Sequence, residues 1–268
     1  MEAITKHYTE YDEQARFDRR HNQVEFLTTM RYIEKYLSEI KASSNTPPRV
    51  LEIGAGTGRY SRAIADMGYA VDALELTPRN IEVFRSQMTP AQDITLAQGN
   101  ALDLSRYGDD IFDITLILGP LYHLFNEADK RQCIAEAIRV TKPGGVIFAA
   151  YVISDQSIIY DGIVRDGFDV ADYIAKGKIH ADTFATTSTP EDVFELVRKE
   201  DIDALMQPFA VTRLHYIATT LAARLLRDAL VDMPEERFDM YLRHHFAICE
   251  RTDMVGMTSH SLDIFRKQ

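Results

Sequence analysis

The stretch that decides the fold is Val50-Leu-Glu-Ile-Gly-Ala-Gly-Thr-Gly58. A short apolar run leads into a turn with glycine at every second position, and a helix to about residue 67 is predicted to follow. Glycine tolerates positive φ and lets the backbone approach a ligand closely. The N-terminus of the following helix offers N–H groups to a polar or negative ligand. The pattern therefore predicts a strand, a ligand-binding turn and a helix, and a nucleotide-containing cofactor is the natural occupant.

Strands and helices alternate after this turn. Further strands are predicted over 70–76, 94–98, 111–118 and 146–152, and helices begin at Thr77-Pro78 and cover 127–141. Such alternation is typical of right-handed βαβ units, with a parallel sheet covered by helices on both faces. A further helix over 22–41, with Asn22 and Glu25 as a capping box, precedes the first strand.

The alternation stops after residue 153. We predict a helix that begins at the cap 188–192 and includes Val193, Leu196 and Val197. A strand over 209–218, helices over 219–231 and 235–250 and a strand over 258–266 follow. The predicted division is an N-terminal helical cap (1–45), a Rossmann-like core (46–153), an insertion (154–208) and the completion of the core sheet (209–268). A long insertion at the strand ends is typical of a lid or substrate wall, and a structural embellishment is the alternative.

Composition excludes several classes of protein. The 268 residues are 46% hydrophobic and 26% charged, as in an ordinary globular chain. The net charge of −11 makes nucleic acid an improbable partner, since a general binder needs a basic face. No apolar run is long enough to span a membrane or form a secretory signal. The two cysteines, Cys133 and Cys249, are expected to be core thiols, which suits a reducing compartment such as the cytoplasm.

The spacing of the glycines separates two classes of cofactor site. Dinucleotide enzymes use GxGxxG, in which the third glycine comes five positions after the first. Here Gly58 follows Gly54 by four positions, and Arg59 stands where that third glycine would be. This spacing disfavours NAD(P) without excluding it. Glu75, at the end of the second strand, could accept the ribose hydroxyls of an adenosine in either class.

Taken in order, the motifs resemble those of the class I S-adenosylmethionine-dependent methyltransferases. VLEIGAGTG is similar to the family's glycine motif, ALEL to its acidic strand end, GNALDL to its adenine segment, FDITLILG to its fourth motif and TKPGG to its post-helix turn. The resemblance is strong over 49–152, and within the family LGPLYHL resembles a bacterial subgroup with largely unassigned substrates. It implies an α/β, Rossmann-like, seven-stranded, mostly parallel sheet whose last strand is antiparallel, with an N-terminal helical cap and a lid insertion after the fifth strand.

The resemblance also implies which residues hold the cofactor. Glu75 would bind the ribose, and Asn100 stands where the family more often has Asp and would contact the adenine amine. Glu52, Arg59 and Tyr11 are candidates for the charged end of the cofactor. The remaining expected contacts are Gly54, Ala55, Gly56, Leu76, Ala101, Leu102, Leu118 and Gly119.

Tyr122 and His123 are the candidate catalytic residues. They follow Gly119-Pro120, at the position where some amino-methylating enzymes carry Asn/Asp-Pro-Pro-Tyr. The first polar residue of that motif is replaced by glycine, which disfavours methylation of a base or of glutamine. His123 could act as a base near neutral pH, and Tyr122 could line the methyl site. Helix capping or packing explains the pair equally well.

The insertion supplies candidate substrate contacts. Tyr151, Tyr160 and His180 could form walls, although core or surface positions are a simpler explanation. A group of acidic residues could favour a cationic substrate or serve only solubility: Asp155, Asp161, Asp166, Asp169 and Asp172. The histidines show no metal-ligand spacing, so no metal is expected.

The predicted activity is transfer of a methyl group from S-adenosylmethionine to a small-molecule O or N nucleophile, with S-adenosylhomocysteine as the product. The alternatives are an NAD(P)-dependent oxidoreductase, a non-catalytic cofactor-binding regulator and an RNA methyltransferase. The acidic net charge disfavours the last of these. The sequence gives neither the acceptor nor the oligomeric state.

Overall fold

The computed structural model describes residues 19–268. Its centre is one eight-stranded sheet in the order β3-β2-β1-β4-β5-β8-β7, with β6 paired to β5 off this path. The strands are β1 Arg49–Ile53, β2 Ala70–Glu75, β3 Ile94–Gln98, β4 Phe112–Ile117, β5 Thr141–Ile153, β6 Leu196–Val197, β7 Val211–Ala218 and β8 His260–Lys267. Strands β1 to β6 pair in parallel, whereas β8 is antiparallel to both of its neighbours, β5 and β7. The expected mostly parallel sheet with an antiparallel last strand is confirmed, with a two-residue strand, β6, added.

Helices cover both faces of the sheet. They are α1 Arg20–Ser43, α2 Arg59–Asp66, α3 Pro78–Gln87, α4 Glu127–Val140, α5 Ser154–Ser157, α6 Val170–Ala175, α7 Lys199–Met206, α8 Arg227–Val231 and α9 Glu235–Ile248. A π-helical segment, Ile158–Val164, continues α5. The strands are buried on both sides, as in β1, where Val50 packs with α1 while Leu51 and Ile53 pack with α4. Continuous apolar strands are expected in a parallel sheet of this kind.

Several local predictions are wrong. Asn22 and Glu25 do not form a capping box, because α1 begins at Arg20 and both residues lie inside the helix. The helix predicted after residue 188 is a single 3₁₀ turn, Pro190–Asp192. The predicted cap within 188–192 is present as a capping box between Thr189 and Asp192. Val193 then takes a φ of 66°, which breaks the helix, and Leu196–Val197 forms β6. The helix predicted over 219–231 is reduced to a 3₁₀ turn, Leu221–Ala223, and α8.

The parallel register brings the ends of three strands together. Ile53 lies beside Leu74 on one side and Ile117 on the other. The segments that follow β1, β2 and β4 therefore start side by side at one edge of the sheet. His260 reaches the same edge from the opposite chain direction, because it pairs with Val152 near the end of β5. This edge holds the candidate site.

Candidate functional site

The glycine turn after β1 takes the shape that its sequence predicts. Gly54, Gly56 and Gly58 all have positive φ, at 71°, 56° and 82°. A Cβ on Gly58 would overlap the ring of Phe84, and one on Gly54 would lie 2.8 Å from the ring of Pro120. At both positions glycine is required by the backbone conformation and by a close neighbour. The turn is therefore fixed by its packing on α3 and on the segment after β4.

Glu75 is a buried carboxylate that organises this turn. Its Oε2 accepts the Gly56 N–H at 2.8 Å. Its Oε1 accepts the Thr77 N–H at 2.9 Å, the Thr77 hydroxyl at 2.7 Å and an amide hydrogen of Asn80 at 3.2 Å. A carboxylate oxygen accepts about two hydrogen bonds, so Oε1 is fully used and Oε2 retains capacity for one more donor. A ribose hydroxyl is a donor of the required kind.

The adenine segment forms a tight turn after β3. Asn100 Oδ1 accepts the Leu102 N–H at 3.1 Å, and Asn100 bridges to Asp103. A carbonyl oxygen has two lone pairs, so Asn100 can accept a second donor, such as an adenine amine. Within residues 19–268 the Ala101 N–H donates to no protein acceptor. The turn thus presents an acceptor and an unused backbone donor next to each other.

Glu52 and Arg59 hold the start of α2. Glu52 is 2% exposed, and its Oε2 accepts the Ser61 N–H at 2.9 Å and the Ser61 hydroxyl. The guanidinium of Arg59 lies 4.0 Å from the centroid of the Phe26 ring on α1. The first contact connects β1 to α2, and the second connects α2 to α1, so both support the elements on either side of the glycine turn. Each residue also lines the cavity described below.

Tyr122 and His123 are held by the inserted segment. The Tyr122 hydroxyl donates to the Leu118 carbonyl at 3.0 Å, and the Tyr122 carbonyl accepts the Glu195 N–H at 2.7 Å. His123 Nδ1 lies 2.8 Å from the Val193 carbonyl oxygen. A carbonyl can only accept, so Nδ1 carries the proton, and in the neutral ring Nε2 then carries the lone pair. The ring of Phe194 packs against both side chains, at 5.9 Å and 5.2 Å between centroids.

These segments surround one cavity of about 420 Å³, which we call the cofactor cavity. It brings together all the sequence-predicted site residues that the structure describes: Glu52, Gly54, Ala55, Gly56, Arg59, Glu75, Leu76, Asn100, Ala101, Leu102, Leu118, Gly119, Tyr122 and His123. Tyr11 lies outside the described residues. The volume of the cofactor cavity is in the range of small-molecule sites.

A second cavity of about 560 Å³, the insertion cavity, adjoins the first. Asn22, Glu25 and Tyr122 line both cavities. Of the expected wall residues, Tyr160 lines the insertion cavity. Tyr151 packs in the core with Cys133, and His180 is exposed, with Nδ1 accepting the Asp182 N–H, so neither lines it.

The acidic residues of the insertion are explained by local structure. Asp155 pairs with Arg198 at 2.7 Å, Asp161 with Arg224 at 2.6 Å, and Asp172 with Lys176 at 2.6 Å. Asp169 caps α6, and Asp166 occupies a turn with a φ of 54°. Of the five, Asp161 alone lines the insertion cavity. The group therefore gives no support to a cationic substrate.

Sequence reasoning missed the contributions of α1 and β8 to the site. Asn22, Glu25 and Phe26 line the cofactor cavity from α1, and His260 lines the insertion cavity from the start of β8. His260 Nδ1 lies 3.9 Å from Glu25 Oε2. The available signal was the expected antiparallel last strand, which begins near His260. In the described part of the chain, no group of three His, Cys, Asp or Glu side chains is arranged to hold a metal ion, and no helix could span a membrane.

The fold and the site define a doubly wound α/β protein with a ligand cavity at the carboxyl ends of its parallel strands. Residues 50–145 match the model of a methyltransferase domain family. Two solved structures share the fold. An S-adenosylmethionine-dependent methyltransferase from Methanosarcina mazei gives a TM-score of 0.53 at 14% identity, covering 82% of this chain and 92% of that one. An S-adenosylmethionine-dependent methyltransferase from Thermotoga maritima gives a TM-score of 0.51 at 15% identity, covering 99% of this chain and 100% of that one.

Two curated methyltransferases are similar to this chain over part of their length. A demethylmenaquinone methyltransferase from Clavibacter sepedonicus is 34% identical over 123 residues, which is 46% of each chain. A ubiquinone biosynthesis O-methyltransferase from Caulobacter vibrioides is 29% identical over 102 residues, 38% of this chain and 39% of that one. The chain thus spans less than half the length of these two relatives. Residues 50–145 thus resemble a methyltransferase domain, in agreement with the sequence motifs.

Proposed function

We propose that this protein transfers a methyl group from S-adenosylmethionine to a small-molecule acceptor bound in the insertion cavity. One observation carries the proposal: the segments after β1, β2, β3 and β4 line a single cavity that shares Asn22, Glu25 and Tyr122 with a second, separately lined cavity. Two adjoining sites suit a reaction between two bound molecules, because holding the reactants in a fixed arrangement supplies much of the rate.

The residues of the first cavity fit the proposed cofactor. Glu75 Oε2 retains capacity for a ribose hydroxyl, and the unused Ala101 N–H suits an adenine ring nitrogen. Asn100 Oδ1 can accept the adenine amine beside its bond to Leu102. Glu52, Arg59 and Tyr11 remain candidates for the charged end of the cofactor, and the glycine turn would pass beneath it.

Tyr122 and His123 are the proposed catalytic residues. When bound, S-adenosylmethionine supplies an electrophilic methyl group on a positively charged sulfur. Tyr122 borders both cavities, so its ring can exclude water and its π face favours a cationic group. The Val193 carbonyl fixes the proton of His123 on Nδ1 and leaves the Nε2 lone pair as a base for a hydroxyl acceptor.

The proposed partners follow from charge and size. A small-molecule acceptor suits a cavity of about 560 Å³. The net charge of −11 argues against nucleic acid as the acceptor. Cys133 and Cys249 are buried and not joined in a disulfide, which supports a reducing compartment and hence the cytoplasm.

Calorimetric titration with S-adenosylhomocysteine and with NAD⁺ and NADP⁺ tests the proposal. We expect binding of S-adenosylhomocysteine and no comparable binding of the dinucleotides. Incubation with S-adenosylmethionine and a bacterial metabolite extract should then release S-adenosylhomocysteine. Tight dinucleotide binding without S-adenosylhomocysteine binding would favour an oxidoreductase. Cofactor binding without turnover in any extract would favour a non-catalytic regulator.

A further inference from the structure

The insertion cavity is more basic than the protein as a whole. The chain carries 30 Lys and Arg against 41 Asp and Glu. The cavity lining reverses this ratio, with four acidic residues (Glu25, Asp161, Glu191 and Asp192) and five basic ones (Arg19, Arg165, Lys178, Arg224 and Arg227). Basic side chains therefore concentrate where the proposed acceptor lies.

Two of the cavity's acidic residues are already neutralised within the lining. Asp161 pairs with Arg224 at 2.6 Å, and Asp192 pairs with Lys178 and also accepts the Thr189 N–H at 2.8 Å. Asp192 is the last residue of the 3₁₀ turn before β6, and the ion pair connects this turn to Lys178. These pairs add no net charge to the cavity.

Arg165, an exposed residue of the lining, contributes to the remaining positive charge. Within residues 19–268, no carboxylate forms an ion pair with Arg165. Its guanidinium lies 5.7 Å from the Tyr160 ring centroid, and that of Arg224 lies 5.4 Å from the same ring. Arg227, also on the lining, contacts Asp228 at 3.3 Å, but that carboxylate is 93% exposed. A guanidinium is suited to recognising a planar acidic group through two parallel hydrogen bonds.

The rest of the lining is apolar and aromatic. Its aromatic side chains are Tyr122, Tyr160, Phe168, Tyr173 and Phe194, and its aliphatic ones are Val152, Ile158, Ile179 and Leu196. Phe168 and Tyr173 contact each other with ring centroids 4.7 Å apart. Such walls favour a flat ring, which can pack edge-to-face or offset-stacked.

We infer that the methyl acceptor is an aromatic acid: a ring held by the aromatic walls, bearing a carboxylate or phosphate bound by Arg165. Arg227 is a second guanidinium on the same lining. The assignment of this molecule as acceptor rests on the proposed function, whereas its binding does not. The hydroxyl or amine that takes the methyl lies elsewhere on the same ring.

The test is a calorimetric titration of the full chain, both without and with saturating S-adenosylhomocysteine, using three matched sets of probes. The sets are hydroxy- and aminobenzoates, the corresponding benzamides, and the corresponding phenyl phosphates. We expect at least one acid to bind about tenfold more tightly than its amide, since charge-assisted hydrogen bonds are about twice as strong as neutral ones. The preferred acid set distinguishes carboxylate from phosphate.

Variants assign the preference to Arg165. Arg165→Gln should abolish the preference for acid over amide, and Arg165→Lys should retain part of it. Arg79→Gln, an exposed arginine on α3 outside both cavities, should leave it unchanged. Equal binding of acids and amides to the wild-type chain, binding of no acid, or an acid preference that survives Arg165→Gln would overturn the inference.

The two proposals can fail separately. If S-adenosylhomocysteine binds but no aromatic acid does, the methyltransferase proposal stands and this inference falls. If aromatic acids bind with the Arg165-dependent preference but S-adenosylhomocysteine does not, the acid site stands and the proposed reaction falls.

Discussion

The carboxylate of Glu75 does more than its place at the end of a strand indicates. It accepts hydrogen bonds from Gly56, Thr77 and Asn80, so it joins the glycine turn to α3 before any ligand is considered. Loss of its charge should therefore affect both the turn and the proposed ribose contact, and an experiment must separate the two.

We expect Glu75→Gln to weaken binding of adenosine by about tenfold, because a charged acceptor is exchanged for a weaker one. Calorimetry with adenosine and with 2′-deoxyadenosine separates the roles. The wild-type chain should prefer adenosine, and the variant should lose that preference. Glu82→Gln, an exposed change on α3, is the control. A variant that keeps the full preference for adenosine would disprove the ribose role.

His123 can be tested with a substitution that keeps its hydrogen bond. Asparagine can donate to the Val193 carbonyl as Nδ1 does, but it has no lone pair of comparable basicity. We expect His123→Asn to bind S-adenosylhomocysteine normally and to lose about 10²-fold or more in turnover near pH 7. If His123→Asn turns over like the wild type and only His123→Ala loses activity, His123 is not the base and its role is packing.

At this scale the sequence predicts local partners better than distant ones. The positions of Gly54, Glu75 and Asn100 follow from motifs whose residues are close in the chain. Glu25 and His260 approach each other from 235 positions apart, and nothing local to either residue indicates it. Arg165 could not be identified from the sequence for the same reason, because the cavity that it lines is formed by residues from distant parts of the chain.

The element that connects the insertion to the site is β6 with the residues before it. Glu195 is 16% exposed, and both of its carboxylate oxygens contact Lys130 Nζ on α4, at 2.6 and 2.7 Å. Burial raises the pKa of Glu195 in spite of this partner. The segment also donates the Glu195 N–H to Tyr122, so the ion pair supports the position of the proposed catalytic residue.

We expect Lys130→Met to lower the free energy of unfolding by about 2–4 kcal/mol, because it leaves a buried carboxylate without its counter-ion. The double variant Lys130→Met/Glu195→Leu should recover part of that loss, since both charges are then removed. Urea denaturation measures both. Lys199→Met, which breaks an exposed pair with Asp203, is the control and should cost well under 1 kcal/mol. Equal losses in Lys130→Met and Lys199→Met would contradict the structural role.

The long helices and strands of the core were predictable from the sequence, whereas the short elements of the insertion were not. Strands β1 to β5 and α4 follow from apolar patterns and clear turn residues. Their bounds differ from the predicted ones by at most one residue, except that β5 begins at Thr141, five residues early, and includes the predicted turn over 142–145. The segment after residue 188 carries a good cap and apolar spacing, yet it forms β6, because pairing with β5 outweighs helix propensity over so short a length. The predicted division into cap, core, insertion and completion stays a prediction.

On the scale of the whole molecule, α1 and α9 pack together through a buried histidine. His245 is 2% exposed, and its Nε2 contacts the Thr28 hydroxyl at 3.0 Å. That hydroxyl donates to the Val24 carbonyl at 2.6 Å, so Nε2 carries the proton and donates to Thr28. Burial, with His244 as a smaller contribution, lowers the pKa of His245 to about 4.

This pKa predicts how stability depends on pH. The unfolded chain takes up a proton at His245 near pH 6.5 and the folded chain near pH 4, so stability falls as the pH decreases between these values. The contribution of His245 to that loss is about 3 kcal/mol over the whole interval, of which about 2 kcal/mol falls between pH 7 and pH 5. Urea denaturation at pH 7 and pH 5 should show a smaller pH dependence in His245→Gln than in the wild-type chain, while His244→Gln should behave as the wild type. Parallel dependences in all three proteins would exclude His245 as the source.

The placement of β8 has a consequence for synthesis. Strand β8, residues 260–267, lies between β5 and β7 and pairs with both. Within the described residues, no other strand connects β7 to the rest of the sheet. On the ribosome, the edge of β5 is made more than a hundred residues before its partner emerges. Until then the edge of β5, and that of β7 once it is made, are open to pairing with other chains. Slow translation or a stalled ribosome upstream of residue 260 should therefore yield aggregates, and a chaperone that shields strand edges should raise the yield of folded protein.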